Sequence, residues 1–117
     1  MKFSTLNHPK ALYMSMNYLN YTPHAIVLND GTVFPPSGTI ARVSSSFTDF
    51  DSDGVCQVVY GDVQNLPDPQ DGVKLIVSAM ILAAAKGRQD LVASATGHPD
   101  CIRDSAGHIV SVPGFVH

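Results

Sequence analysis

Short apolar runs separated by turn-forming residues constrain the fold of this chain more than any other feature of its sequence. Asn29-Asp30-Gly31 lies between two such runs, residues 25–28 and 32–34. Because Asn, Asp and Gly tolerate positive φ, this spacing predicts a β-hairpin with a tight turn. Pro35-Pro36 follows at once, and proline has no amide proton to donate to a neighbouring strand. The sequence therefore predicts that the chain leaves the sheet there.

The next segments alternate in the same way. Residues 39–43 predict a strand that places Ala41 and Val43 toward the core and Arg42 on the opposite face. The serine- and aspartate-rich residues 44–54 have the composition of a mobile loop, and residues 55–59 predict another strand. The acidic part of the loop resembles a calcium loop only in part, because Tyr60 stands where an EF-hand needs a bidentate glutamate.

Residues 73–86 fit two interpretations. Their apolar positions match one helical stripe, but the β-branched residues of 73–77 also suit a buried strand. We favour a strand over 73–77 followed by a helix that is capped by Ser78, runs to Lys86 and ends at Gly87. A strand-to-helix junction at Ser78 predicts an anion site made of a hydroxyl and free backbone amides.

Residues 101–112 predict a final hairpin around Asp104-Ser105-Ala106-Gly107. Together these patterns predict the α+β class, a small and mainly antiparallel sheet with hairpins and one principal helix. The length of 117 residues fits a single domain, which we place at 17–117, with residues 1–16 as a peripheral N-terminal arm.

Composition excludes several classes of partner. The net charge is −3 and the basic residues are scattered, so binding to long nucleic acid is not expected. The longest apolar run, residues 73–85, is shorter than the roughly 20 residues of a membrane span, and no signal peptide is expected. Cys56 and Cys101 lie far apart without metal-site spacing, which predicts reduced thiols in a cytoplasmic protein.

Directional polar groups concentrate in a few short motifs. Arg42 and Arg88 offer planar forks for phosphate or carboxylate, and His24 suits a ligand phosphate. Each has a structural alternative: Arg88 pairing with Asp90 or capping the preceding helix, Arg42 packing its stem across the sheet, and His24 fixing a strand entry. The aromatic residues Tyr18, Tyr21, Phe34 and Tyr60 fit either a purine clamp or the core. The candidate ligand-binding residues are Thr22, His24, Ser37, Gly38, Arg42, Ser78, Arg88 and Asp90.

The same motifs carry a resemblance over about residues 17–116. Five segments resemble motifs of a family of small proteins encoded by tailed phages and bacteria. They are Asn20-Tyr21-Thr22-Pro23-His24, the 35–43 segment Pro-Pro-Ser-Gly-Thr-Ile-Ala-Arg-Val, Ile76-Val77-Ser78, Arg88-Gln89-Asp90-Leu91-Val92 and the terminal Asp104–Gly107 hairpin. The resemblance implies a mobile-element accessory protein acting in the host cytoplasm. Small phage proteins of this size include several that capture nucleotide immune signals.

Two functions follow as expectations. The first is a non-catalytic, homo-oligomeric protein that sequesters a small anionic nucleotide-derived ligand, such as an ADP-ribose-type or cyclic nucleotide signal. The second is a structural or interaction protein that contacts a host defence or phage protein through a sheet edge or the 44–54 loop. No motif links a nucleophile to a base, so we expect no catalytic residue, cofactor or metal.

Overall fold

The computed structural model describes residues 17–117, so the predicted N-terminal arm at 1–16 lies outside the described residues. Short strands dominate, with one helix between the sixth and seventh. The elements in chain order are β1 (Asn17–Asn20), β2 (Ile26–Val27), β3 (Val33–Phe34), β4 (Arg42–Phe47), β5 (Val58–Gln64), β6 (Val73–Ile76), α1 (Ala79–Ala84), β7 (Leu91–Ser94), β8 (Ile102–Arg103), β9 (Ile109–Ser111) and β10 (Phe115–Val116).

The central sheet has four strands in the order β1-β6-β7-β10. The first three are parallel neighbours and β10 joins β7 antiparallel. The α+β class is confirmed, but the chain is mostly strand and its helix is minor. The parallel centre was not predicted, because parallel pairing joins segments far apart in sequence and leaves no local turn signal.

Both faces of the central sheet are covered. Leu75, Val77 and Leu91 project to one face and form a core cluster with Ile81 of the helix and Ala41. The alternate residues project to the other face. There Tyr18, Phe34 and Phe115 form an aromatic cluster with ring centroids 5.1 to 5.7 Å apart. Burial of Tyr18 in this cluster raises the pKa of its phenol.

Two predicted hairpins are confirmed. β2 and β3 pair antiparallel around Asn29-Asp30-Gly31, where Gly31 takes a φ of 92° and donates its amide to the Leu28 carbonyl. β8 and β9 pair around Asp104, whose carboxylate accepts the amides of Ala106 and His108. Local side-chain chemistry fixes both turns, which explains why the sequence predicts them.

The largest hairpin differs from its prediction. β4 begins at Arg42 and runs through the serines to Phe47, so residues 44–47 are strand and not loop. β5 likewise extends to Gln64. Pairing of these strands outweighs the weak strand propensity of the serines. The turn at 48–57 is ordered by Asp51, whose carboxylate accepts the amides of Asp53 and Val55.

The strand and helix over 73–84 are confirmed in the order we favoured. Ser78 caps the helix, which ends at Ala84 and not at Lys86. Ala85 is the C-terminal cap, so Gly87 does not have the predicted role. Within residues 17–117, no helix is long and apolar enough to cross a membrane.

Candidate functional site

The three parallel strands of the central sheet end at a common cleft. Thr22 and His24 follow β1, Ser78 follows β6, and Ser94 and Thr96 lie at the end of β7. All five line one cavity of about 170 Å³, whose floor is formed by Val77 and Ala93. Ligands of open parallel sheets bind at the carboxyl ends of the strands, because the loops that follow each strand meet there. We call this cavity the carboxyl-end cleft.

A second cavity of about 130 Å³ adjoins the cleft and shares Ile26, Ser94 and Thr96 with it. Small-molecule pockets usually enclose about 300 to 1,000 Å³, so the two cavities together approach the lower end of that range. Neither cavity has an acidic residue among the described residues that line it. This arrangement favours a small ligand that is neutral or negatively charged.

Arg103 places a guanidinium beside the shared wall of the two cavities. Its Nη2 donates to the Thr96 carbonyl at 3.2 Å, and its Nη1 donates to the Gly107 carbonyl at 2.8 Å. The side chain is exposed and lies outside the lining of both cavities, so Arg103 supports the cavity wall at Thr96. Our sequence prediction missed Arg103, Ser94 and Thr96, because no motif marks them and only the fold brings them to the cleft.

A hydrogen-bond network centred on Asn20 explains the motif at 20–24. Asn20 is only 2% exposed. Its Nδ2 donates to the carbonyls of His24 and Phe34 at 2.7 and 2.9 Å. Its Oδ1 accepts the Thr22 amide at 2.9 Å and lies 2.6 Å from the Thr22 hydroxyl. The network fixes the loop that presents the exposed imidazole of His24, so the motif has a structural role whatever the cleft binds.

The Ser78 side chain caps helix α1. Its Oγ accepts the Ile81 amide at 3.2 Å, and its carbonyl accepts the Leu82 amide. A hydroxyl that accepts still has one proton to donate, so Ser78 can contribute a single donor to the cleft. The helix has only six residues, which is too short to support the anion site expected from its free amides.

Ser37 and Gly38 lie away from this cleft, in a turn attached to β1. The Ser37 amide donates to the Asn20 carbonyl at 2.8 Å, so the predicted phosphate-binding amide is already engaged. Gly38 takes a φ of 100°, a conformation that favours glycine, and the turn is exposed. These two residues therefore shape the entry to β4.

Arg42 borders a different groove, with Val43, Ser44 and Gln64. It is exposed on the face of β4 opposite Val43, as the alternation predicted. The structure does not bring Arg42 to the carboxyl-end cleft.

Arg88 and Asp90 form a nearly buried ion pair at the amino end of β7. The Arg88 Nε and Nη2 each lie 2.8 Å from a different Asp90 oxygen, and Nη2 also donates to the Pro67 carbonyl. The hydrogen bond from Arg88 lowers the pKa of Asp90, and the same bond raises the pKa of Arg88. The predicted pairing of Arg88 with Asp90 is therefore confirmed, because the guanidinium and the carboxylate bind each other at two points.

A groove of about 460 Å³ lies at this amino end and is bordered by the same pair and by Lys74. Lys74 Nζ donates to the Gln89 carbonyl at 3.2 Å. Arg88, Asp90 and Lys74 thus bind protein groups, and the groove also exposes the carboxylate of Asp71, which disfavours an anionic ligand. We therefore place the candidate site at the opposite end of the sheet. Three of the eight predicted residues, Thr22, His24 and Ser78, converge there, and the other five do not. Within residues 17–117, no group of three His, Cys, Asp or Glu side chains is placed to hold a metal ion.

Of the aromatic residues weighed as a purine clamp, Tyr18 and Phe34 pack together with Phe115, and Tyr21 packs against the core cluster. Tyr60 lies outside the cleft, on β5.

Comparison with protein-family models, with curated proteins and with solved structures finds no match for this chain. The resemblance to phage-encoded proteins therefore stays a prediction.

Proposed function

We propose that this protein binds a small anionic, nucleotide-derived ligand in the carboxyl-end cleft and sequesters it without converting it. One observation carries the proposal: three adjacent parallel strands deliver hydroxyl and imidazole groups to one cavity. Hydroxyls and imidazole suit a phosphate or a ribose, since both ligand groups accept or exchange several hydrogen bonds.

Charge supports an anionic ligand. The protein carries a net charge of −3, yet no acidic residue is among the described residues that line the cleft, and Arg103 donates to the backbone carbonyl of Thr96 in its wall. A guanidinium with unused donors can bind a phosphate at two points. An ADP-ribose-type or cyclic nucleotide signal has both a phosphate and a ribose, which matches the expectation from the phage resemblance. In that setting the protein would lower the free concentration of a host immune signal in the cytoplasm.

The absence of catalysis is also part of the proposal. Ser78 bonds to its own helix, and Thr22 bonds to Asn20 and to the backbone carbonyl of His24, so neither hydroxyl bonds to the imidazole of His24 as an activated nucleophile would. Stoichiometric capture requires only binding groups and a cavity.

Native mass spectrometry of the full chain with ADP-ribose, its cyclic isomers and cyclic dinucleotides tests this function. We expect one member of the panel to add its intact mass stoichiometrically. His24→Ala and Arg103→Ala should each weaken that binding roughly tenfold, the worth of one charge-assisted hydrogen bond. His117→Ala and Arg42→Ala are the matched controls, because they remove the same groups outside the cleft. No adduct across the panel, or equal losses in the controls, would contradict the proposal, and a converted product would contradict capture without catalysis.

A protein partner is a second candidate function, and the exposed apolar side chains of the β4–β5 hairpin favour it. Direct inhibition of a host or phage protein would depend on that hairpin and not on the cleft. In a phage-defence assay in bacteria, His24→Ala should then retain activity while Val58→Glu loses it. The reverse pattern would support ligand capture.

A further inference from the structure

The hairpin of β4 and β5, which we call the β-arm (residues 42–64), has one apolar face that begins in the core. Val43 and Val63 are directly paired and both pack against the core cluster. Residues paired across strands project to the same face, and alternate residues share it. Along β4 the same face therefore continues outward from Val43 through Ser45 to Phe47. The pairing register shifts between Val43 and Ser45, where β5 has one residue more than β4, and beyond that shift Tyr60 and Val58 are the partners on this face.

Burial falls steeply along this face. Phe47 is 72% exposed and its partner Val58 is 45% exposed, although both continue the row of the partly buried Val43 and Val63. At the tip, Phe50 and Val55 are 72% and 58% exposed. Helix α1 contacts the base of the β-arm, and within the described residues nothing covers the outer part. A two-stranded hairpin is only marginally stable in water without cover for its apolar face.

We infer that this face packs against the same face of a second copy of the chain, forming a two-fold symmetric dimer. A two-fold interface brings one patch onto itself, so a charged patch would oppose its own charge. The paired residues of the β-arm face carry no charge: they are Val43, Ser45, Phe47, Val58, Tyr60 and Val63. Asp62 lies at the register shift and has no partner in β4. The carboxylates of Asp49, Asp51 and Asp53 are confined to the tip, where they remain in water.

The area also fits a second copy. The exposed apolar side chains of the face, Phe47, Val58 and Tyr60, together with Phe50 and Val55 of the tip, present on the order of 500 Å² per chain, as large as the largest apolar patch of typical monomers. Two such faces bury about 1,000 Å² together, which is the lower limit for a specific interface. The opposite face of the β-arm carries Arg42, Ser44, Ser46 and Gln64, with Val59 as an exposed apolar side chain, and this mainly polar surface suits the solvent side of a dimer.

Val58 and Val59 provide a matched test, because they are adjacent, chemically identical and similarly exposed at 45% and 49%, but lie on opposite faces. We expect sedimentation of the full wild-type chain to show a dimer whose mass depends on concentration. Val58→Glu should weaken dimerisation by roughly 100-fold, because it places an unpaired charge in an apolar interface. Val59→Glu should leave it unchanged.

A wild-type chain that stays monomeric at all concentrations would overturn the inference, whether residues 1–16, another protein or nothing covers the face. Equal effects of the two glutamates would overturn it as well. Circular dichroism checks the fold of both variants, and if Val58→Glu unfolds, Phe47→Ser replaces it with the same expectation. The failure of this test leaves the cleft proposal intact, because His24 and Arg103 lie outside the β-arm.

Discussion

The central sheet and the β-arm are both built from short strands, but they bury their apolar side chains very differently. Leu75 in the sheet is 1% exposed, whereas Phe47 at the outer end of the β-arm is 72% exposed. The sheet has cover on both faces, from α1 and the β-arm base on one and from the β2–β3 hairpin on the other. Alternation thus orients side chains toward a face, and a further element decides whether that face is buried.

Truncation of the sheet core should have the largest effect on stability. We expect Leu75→Ala to lower the free energy of unfolding by about 2 to 5 kcal/mol, because it removes buried methyl groups and leaves a cavity. Denaturant unfolding monitored by circular dichroism measures this. Equal losses for Leu75→Ala and Val58→Ala, measured at a concentration where the chain is monomeric, would break the contrast between sheet and β-arm.

Removal of the Asn20 side chain should have the next largest effect on stability. Asn20→Ala leaves the carbonyls of His24 and Phe34 without their donor in a buried site. We expect a loss of about 2 to 3 kcal/mol in the free energy of unfolding, from the cost of unsatisfied polar groups. Asn17→Ala, at an exposed position of the same strand, is the control and should be nearly neutral. A neutral Asn20→Ala would show that the motif does not hold the cleft loop.

Breaking the Arg88–Asp90 pair should cost somewhat less. Arg88→Ala leaves the Asp90 carboxylate nearly buried and without its main partner, so we expect a loss of about 1 to 3 kcal/mol. Arg42→Ala removes an exposed guanidinium and should change stability little. Thermal unfolding of both variants compares the contribution to stability of the paired Arg88 guanidinium with that of the exposed Arg42 guanidinium on the β-arm.

The same pair predicts a dependence of stability on pH. The pKa of Asp90 is lower in the folded chain than in the unfolded chain, because Arg88 donates to the ionised carboxylate. Its contribution is therefore complete above the unfolded pKa of about 3.9 and is lost as the pH falls through the lower folded value. Denaturant titrations between neutral and acidic pH should show this loss in the wild type and a smaller one in Asp90→Asn. An equal slope in both would contradict the assignment.

The smallest effect should come from the β-arm itself. Phe47→Ser at low protein concentration should change the free energy of unfolding of the monomer by less than about 0.5 kcal/mol, since the ring is mostly in water. At high concentration the same variant should lose the stability that dimerisation adds to the wild type. A loss that is large and independent of concentration would show that residues of the same chain cover Phe47.

Local chemistry made parts of this fold predictable. The turns at Asn29-Asp30-Gly31 and at Asp104 and the helix start at Ser78 were all predicted, because each depends on side chains within four residues of one another. The prediction of a loop over residues 44–54 was wrong for residues 44–47, which are strand. Pairing with β5 stabilises that strand, and composition does not reveal a partner strand.

The candidate site was predictable only in part. Thr22, His24 and Ser78 were found because they sit in recognisable motifs next to strand ends. Ser94, Thr96 and Arg103 were missed, because their place at the cleft depends on the parallel order of β1, β6 and β7. Arg88 and Asp90 were chosen for chemistry that they satisfy with each other.

The sequence by itself determined the hairpin turns, the junction of strand and helix at Ser78 and the alternation of apolar residues, because those depend on backbone preferences and near neighbours. The tertiary structure alone decided which strands run parallel, which polar groups share a cleft and where the apolar face of the β-arm lies uncovered. The physical reason is that these contacts join residues far apart along the chain. Their free energy comes from burial and pairing that exist only once the strands have met.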